Sequence, residues 1–206
     1  MLPHLQRPLS PSAEPNTVAL VEIKGTAFVA RKAALEKRFG VERFAEVLRA
    51  QAREDAVFAA PILATSRLPI EAFLRLQDRI VRELYAGDTR SYFDAGVASA
   101  EFALGENGPY RVLVTSRDVA SFTASAPRIY RTYFDEGEAV GTYDGARRVT
   151  LRLSGIPIRH VYFEYAICGY FGRGLELVTG KPVTMKCVRG FARGDADVLY
   201  ELDIGA

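Results

Sequence analysis

Histidine is almost missing from this chain. His4 and His160 are the only two in 206 residues, so a catalytic triad or a histidine-built metal site would have to rest on His160 alone. Cysteine is equally sparse: Cys168 and Cys187 fall on separate expected elements without CxxC spacing, which argues against a zinc knuckle or a redox pair and fits a reduced, cytoplasmic chain. No stretch reaches the ~20 apolar residues of a membrane span. The first residues lack a positively charged start followed by an apolar core, so a secretory leader is not expected. Charge of one sign is missing too. The formal net charge is +2, lysine occurs only at Lys24, Lys32, Lys37, Lys181 and Lys186, and no basic block is present. The long electrostatic footprint of a nucleic-acid binder is therefore absent.

What is present suits a folded domain, because 49% apolar and 25% charged residues over this length allow a sizeable core. Residues 1–17 carry Pro3, Pro8, Pro11 and Pro15 with few large hydrophobes. They read as a flexible tail, since such a segment buries too little surface to offset its ordering entropy. The remainder, 18–206, reads as a single α+β domain with a helical half over 18–107 and a sheet-containing half over 108–206. A strand over Val18 to Ile23 opens the helical half. Thr26 is placed to cap a helix ending at Gly40, and a second helix runs from Glu42 to Arg53. Pro69 leads the clearest helix, with Ile70, Phe73, Leu74, Leu76, Ile80, Val81, Leu84 and Tyr85 at helical spacing until Gly87. Ser91 to Leu104 is a fourth helix, rich in small residues that permit close approach. In the second half, Arg111 to Val114 reads as a strand and Val119 to Phe134 as a helical stretch. Ala139 to Tyr143 and Arg148 to Leu153 read as antiparallel strands joined by a tight Asp144-Gly145 turn. A long helix over Val161 to Val178 then leads to strands around Val183, Met185, Cys187 and Val198, Tyr200, Leu202.

Chemistry-bearing groups are few. His160, at a helix start, is expected to cap or face solvent, and Cys168 to act as a small buried hydrophobe. The acidic groups at Asp135, Glu136, Glu138 and at Asp195, Asp197, Glu201, Asp203 lack the spacing of a calcium loop. Gly169, Gly172 and Gly174 lie inside a helix pattern rather than between a strand and a helix start, so they make no phosphate cradle. The sequence assigns no catalytic residue, no metal ligand and no cofactor.

The glycines of the last helix still need a cause, since each costs about 1 kcal/mol relative to alanine. At 100° per residue Phe163, Ile167, Tyr170, Phe171, Leu175 and Val178 share one broad face. That face is expected to cover the sheet. Ala166, Gly169 and Gly172 fall towards the other face and are expected to form an interface admitting another helix or a second subunit. Aromatic residues gather in the second half, and Tyr130, Phe134, Phe163, Ile167 and Phe171 are the residues expected to bind a small apolar ligand.

The order helix, strand, turn, strand with Arg193, Gly194 and Asp195 in the last turn resembles the end of bacterial 4-vinyl-reductase-like domains. These belong with heme-nitric-oxide-binding domains and transport-protein-particle subunits. The wider resemblance covers roughly residues 18–204, through Lys24-Gly25, Pro69, Gly108-Pro109-Tyr110-Arg111 and Pro127 to Tyr133. Relatives typically frame the last turn with two cysteines; the matching positions are Gly190 and Val198. Heme-binding relatives use a helical proximal histidine and a tyrosine-serine-arginine motif, where this chain has Leu151, Arg152, Leu153, Ser154 and Gly155. The resemblance implies ligand sensing or scaffolding more than turnover: a non-catalytic cytoplasmic sensor or adaptor, homodimeric, binding a small apolar ligand or a partner protein. The alternatives are a structural dimeric scaffold without ligand and an enzyme or carrier of tetrapyrrole or hydrocarbon metabolism.

Overall fold

The computed structural model describes residues 21–205. The expected tail, 1–17, and the first part of the expected opening strand lie outside the described residues. In chain order the elements are β1 (Glu22–Lys24), α1 (Gly25–Phe39), α2 (Val41–Ala52), β2 (Arg67–Pro69), α3 (Ile70–Leu84), α4 (Ser91–Leu104), α5 (Arg111–Thr115), α6 (Val119–Ala124) and α7 (Ala126–Arg131). They continue with β3 (Glu138–Tyr143), β4 (Arg148–Ser154), α8 (Val161–Thr179), β5 (Val183–Arg189) and β6 (Val198–Ile204). The expected α+β class holds. Strands β3 to β6 make one antiparallel sheet in the order β3-β4-β6-β5, and β1 pairs with β2 apart from it. Alternation along β6 buries Val198, Tyr200, Leu202 and Ile204, as period-2 patterning requires.

Helix α8 is the centre. It is buried on nearly every side, with α4 against one flank and the sheet against another. A Cβ built on Gly96 of α4 would fall on the carbonyl oxygen of Ala166, and one on Gly169 of α8 would fall on that of Phe93. The two backbones touch because both helices carry glycine at the crossing. Expected small-residue packing therefore has its partner helix within the same chain. Gly172 differs from expectation: it faces the sheet, where a Cβ would meet Met185 Sδ at 2.5 Å. The large face, assigned to the sheet, instead meets aromatic residues of the α6–α7 region, with Phe171 on Phe122 and Phe163 on Phe134.

Several local expectations are corrected. Arg111 to Val114 is helix α5, not a strand; among the described residues no strand pairs with it, and Leu113 turns into the core near α8. The stretch from Val119 to Phe134 is two short helices, because Pro127 has no N–H to donate and its ring obstructs the carbonyl four residues back, so a new helix starts with Pro127 in its first turn. Thr26 does not cap α1, which begins at Gly25; its Oγ1 donates to the Thr132 carbonyl at 3.2 Å. The β3–β4 loop is longer than a two-residue turn: Asp144 Oδ1 accepts from the N–H groups of Ala146, Arg147 and Arg148 at 2.8, 2.9 and 3.0 Å.

The two halves are stitched where β1 meets the end of α7. Lys24 N–H donates to the Tyr133 carbonyl at 3.0 Å and Ile23 bridges Phe134, while Lys24 and Arg67 both pair with Asp135. Replacing Gly96 with alanine would raise stability at an open helix site by about 1 kcal/mol. Here it is expected to lower stability by about 1–3 kcal/mol, because α4 must move off α8. Urea unfolding of Gly96→Ala checks this, and an unchanged or raised midpoint would remove the backbone crossing as a constraint.

Candidate ligand pocket

The stitch between β1 and α7 places Tyr133 and Phe134 over the middle of α8, and Tyr130 follows one turn earlier on α7. Together with Ile167, Tyr170 and Phe171 of α8, Ala27 of α1, and Gly96 and Ser99 of α4, they line an apolar cavity of about 40 Å³. Four of the five expected ligand residues, Tyr130, Phe134, Ile167 and Phe171, line it. The fifth, Phe163, stands behind, edge-on to Phe134 with ring centroids 5.3 Å apart. Ala166, expected at an interface, also lines the cavity, whereas Gly169 lies under α4 and Gly172 under Met185. Sequence reasoning missed Ala27, Gly96 and Ser99 as site residues, since no spacing connects α1 and α4 to α7.

Hydroxyls give this cavity its chemistry. Tyr130 Oη donates to the Glu136 carbonyl at 2.7 Å. Tyr170 Oη, in a residue only 5% exposed, makes no hydrogen bond of ordinary distance and angle among the described residues, although the Tyr133 hydroxyl is near enough to interact with it. Burial pushes all three phenols up, Tyr133 to about 12 and Tyr130 and Tyr170 further, so each is a neutral hydroxyl at physiological pH. A buried donor without acceptor costs about 1–3 kcal/mol, which makes Tyr170 a fully buried polar group in the cavity wall that lacks a well-formed partner.

His160 is spent on structure. Its Nδ1 accepts from Tyr162 N–H at 3.1 Å as the α8 N-cap, and its Nε2 lies 3.1 Å from Asp78. Burial would raise Asp78, but hydrogen bonds from His160 and Tyr92 outweigh it and hold the carboxyl below its ordinary value.

On the sheet side of α8 lies a cluster that spacing did not reveal. Cys168 Sγ is 3.5 Å from Met185 Sδ, and Cys187 Sγ is 3.6 Å from Glu164 Oε1. Glu164, 2% exposed, also accepts from Ala192 N–H at 3.0 Å. A Cβ on Gly190 would meet the Glu164 carboxyl at 2.6 Å, so a carboxylate fills the place that a side chain at this position would need. Val198 is fully buried in β6. Burial raises the pKa of both thiols, reinforced at Cys187 by Glu164, which keeps them protonated and weakly nucleophilic. Among the described residues no group of three or more His, Cys, Asp or Glu could hold a metal ion. Asp197 in the last turn is taken by Arg189 at 2.7 Å and Arg152 at 3.0 Å, which hold its carboxyl down to about 2.

No family model and no curated protein matches the chain. Solved structures do. A Cs H-NOX structure superposes with a TM-score of 0.68 at 10% identity, covering 89% of this chain and 97% of that one. An Fe(II) unliganded H-NOX protein from K. algicida gives 0.65 at 12% over 89% and 97%. An H-NOX protein from S. oneidensis in the Fe(II)NO ligation state gives 0.64 at 12% over 89% and 99%. The chain has the H-NOX fold. That fold is named for heme, yet the aromatic cavity here does not fit one: it holds about 40 Å³, where pockets for organic ligands run to about 300–1,000 Å³. His160, the one histidine among the described residues, is engaged on both ring nitrogens. No histidine is therefore free to serve as an axial ligand among the described residues.

Both cysteines are expected to react with a thiol reagent at pH 8 at least about tenfold more slowly than an exposed cysteine, reaching ordinary rates only in denaturant. Rapid modification of native Cys187 would show that Glu164 and burial do not hold its proton.

Proposed function

We propose that this chain is a non-catalytic, cytoplasmic sensor module on the H-NOX fold that uses its aromatic cavity, without heme, to take a small apolar ligand carrying one hydrogen-bond acceptor. The unpartnered Tyr170 hydroxyl inside an otherwise apolar cavity carries this reading. A ligand of a few heavy atoms would accept from Tyr170 and rest against Ile167, Phe134 and Phe171. Because the walls come from α1, α4, α7 and α8, occupancy would favour whichever arrangement of the two halves closes on it, and such differential affinity is what a sensor requires. Anything larger would need Tyr133, which is half-buried at the rim, to swing out. The protonated thiols and the engaged His160 support binding over turnover.

The wider resemblance to 4-vinyl-reductase-like domains and transport-protein-particle subunits belongs to the same proposal, and so does a homodimeric or adaptor role. One observation favours the latter: Phe102 on α4 and Val112 on α5, two helices in contact, are 58% and 67% exposed. Paired copies or a partner protein would cover them.

Three measurements test the cavity. Xenon, a probe for small dry cavities, is expected to shift the methyl resonances of Ile129 and Ile167 in the wild type and not in Ile167→Phe. Tyr170→Phe is expected to be neutral or stabilising by about 1–2 kcal/mol, since it removes a buried group that makes no bond. Native mass spectrometry is expected to find a low-mass species that Tyr170→Phe releases, and added hemin is expected to give no stoichiometric complex. A destabilised Tyr170→Phe, or a stoichiometric hemin complex, would sink the proposal.

A further inference from the structure

Another buried side chain without a hydrogen-bond partner lies in α1. Arg31 is 4% exposed, and neither Nε nor Nη2 has a hydrogen-bond partner among the described residues. Those two nitrogens form one edge of the guanidinium, and their parallel N–H bonds match the two oxygens of a carboxylate. Arginine stays charged in proteins, so the group cannot shed its proton to escape the site. Burial lowers its pKa while the nearby Asp94 opposes that. Asp94 is not the missing partner: it pairs with Arg38 at 3.2 Å instead.

Arg31 forms part of the wall of a groove of about 320 Å³, large enough for a small organic molecule. Lys37 and Arg38 stand along it and add positive charge that Asp94 offsets only once. Tyr85 supplies an aromatic wall, with the Arg31 Cζ 5.8 Å and the Arg38 Cζ 4.8 Å from its ring centre. Beyond Arg38, Tyr85 and Asp94 a wider groove of about 710 Å³ continues past Phe93 and Tyr165, giving an apolar body somewhere to lie.

We propose that this groove is a binding site for an organic carboxylate, with Arg31 as the bidentate donor, Lys37 and Arg38 attracting the anion, and Tyr85 packing its carbon skeleton. The fork of Arg31 is closed to bulk water in this structure, so entry requires Tyr85 and the Arg38–Asp94 pair to part. The site is separate from the aromatic cavity, and its success or failure is independent of that reading.

Sodium benzoate, with neutral benzamide as the control of equal shape, tests the site on the full chain. Benzoate is expected to raise Tm saturably and to shift the Arg31 Nε–H resonance, while benzamide does neither. Arg31→Met and Arg31→Lys are both expected to weaken benzoate binding at least about tenfold, which corresponds to about 1.4 kcal/mol; the lysine variant keeps the charge and loses only the fork. Equal effects of benzoate and benzamide would overturn the proposal, as would undiminished binding by Arg31→Lys. Glu14 is the one carboxylate side chain in residues 1–20. If wild type ignores benzoate and Glu14→Gln binds it, the fork belongs to the chain's own carboxylate and the small-molecule site is refuted. If neither arginine variant folds, the wild-type Nε–H response decides.

Discussion

Backbone contact between α4 and α8 is the constraint from which the interior follows. Two helices ordinarily keep about 8–10 Å between axes because side chains hold them apart. Gly96 and Gly169 remove those side chains at the crossing, and the extra depth lets α8 pass through the molecule with apolar contacts on several sides. A helix so enclosed can present three different surfaces: a smooth one to α4, an aromatic one to α7, and one of sulfur and carboxylate to the sheet. The cavity exists because the aromatic surface is built of rigid rings that meet edge-on, as Tyr133 meets Tyr170 and Phe134 meets Phe163. Rings in such arrangements fill volume unevenly.

In the same architecture that in other chains is titled for heme, the aromatic cavity here narrows to about 40 Å³. Nothing in the fold forbids this. A shared path of the backbone leaves the interior side chains free to set what enters. In this chain tyrosine and phenylalanine on and beside α7 and α8 line the cavity with neutral phenols and rings, and His160 is spent on a cap. The last turn shows a parallel exchange, because the Glu164 carboxyl lies where a Cβ at Gly190 would have to go. A carboxylate that accepts from a thiol and a backbone amide organises that turn without sulfur ligands.

Much of the fold was legible because it rests on local rules. The amphipathic spacing after Pro69, the alternation along β6 and the glycine exit at Gly180 each fix an element through its own residues. Where the reading failed, the deciding contact was distant or needed a finer local rule. Arg111 to Val114 has strand-forming residues but no strand to pair with, and Pro127 splits a stretch whose apolar spacing alone looks continuous. Thr26 resembles a cap until the Thr132 carbonyl, more than 100 residues away, claims its hydroxyl. The aromatic wall of the pocket could be seen as a cluster in sequence. Ala27, Gly96 and Ser99 could not, since small residues carry no signal of what they face. Arg31 was invisible for a different reason: a single arginine on a helix with charged neighbours reads as part of a solvated face, and only the packing shows that its neighbours Ala27, Phe28, Ala30 and Leu35 are all buried with it.

Tyr170 and Arg31 share a physical logic. Unpartnered polar groups inside a fold are rare because each forfeits water and gains nothing in return. Gln77, Ser91 and Thr123 are also buried without partners among the described residues; Tyr170 and Arg31 differ in lining separate concavities, one with apolar walls and one with positive charge. Stability alone would be served better by phenylalanine at the first position and an aliphatic residue at the second. Retaining a neutral donor in an apolar cavity and a fixed cation beside an aromatic wall makes sense if what each lacks arrives from outside. The two sites would then select different chemistries, an uncharged acceptor and an anion, and α1 and α4 contribute to the walls of both.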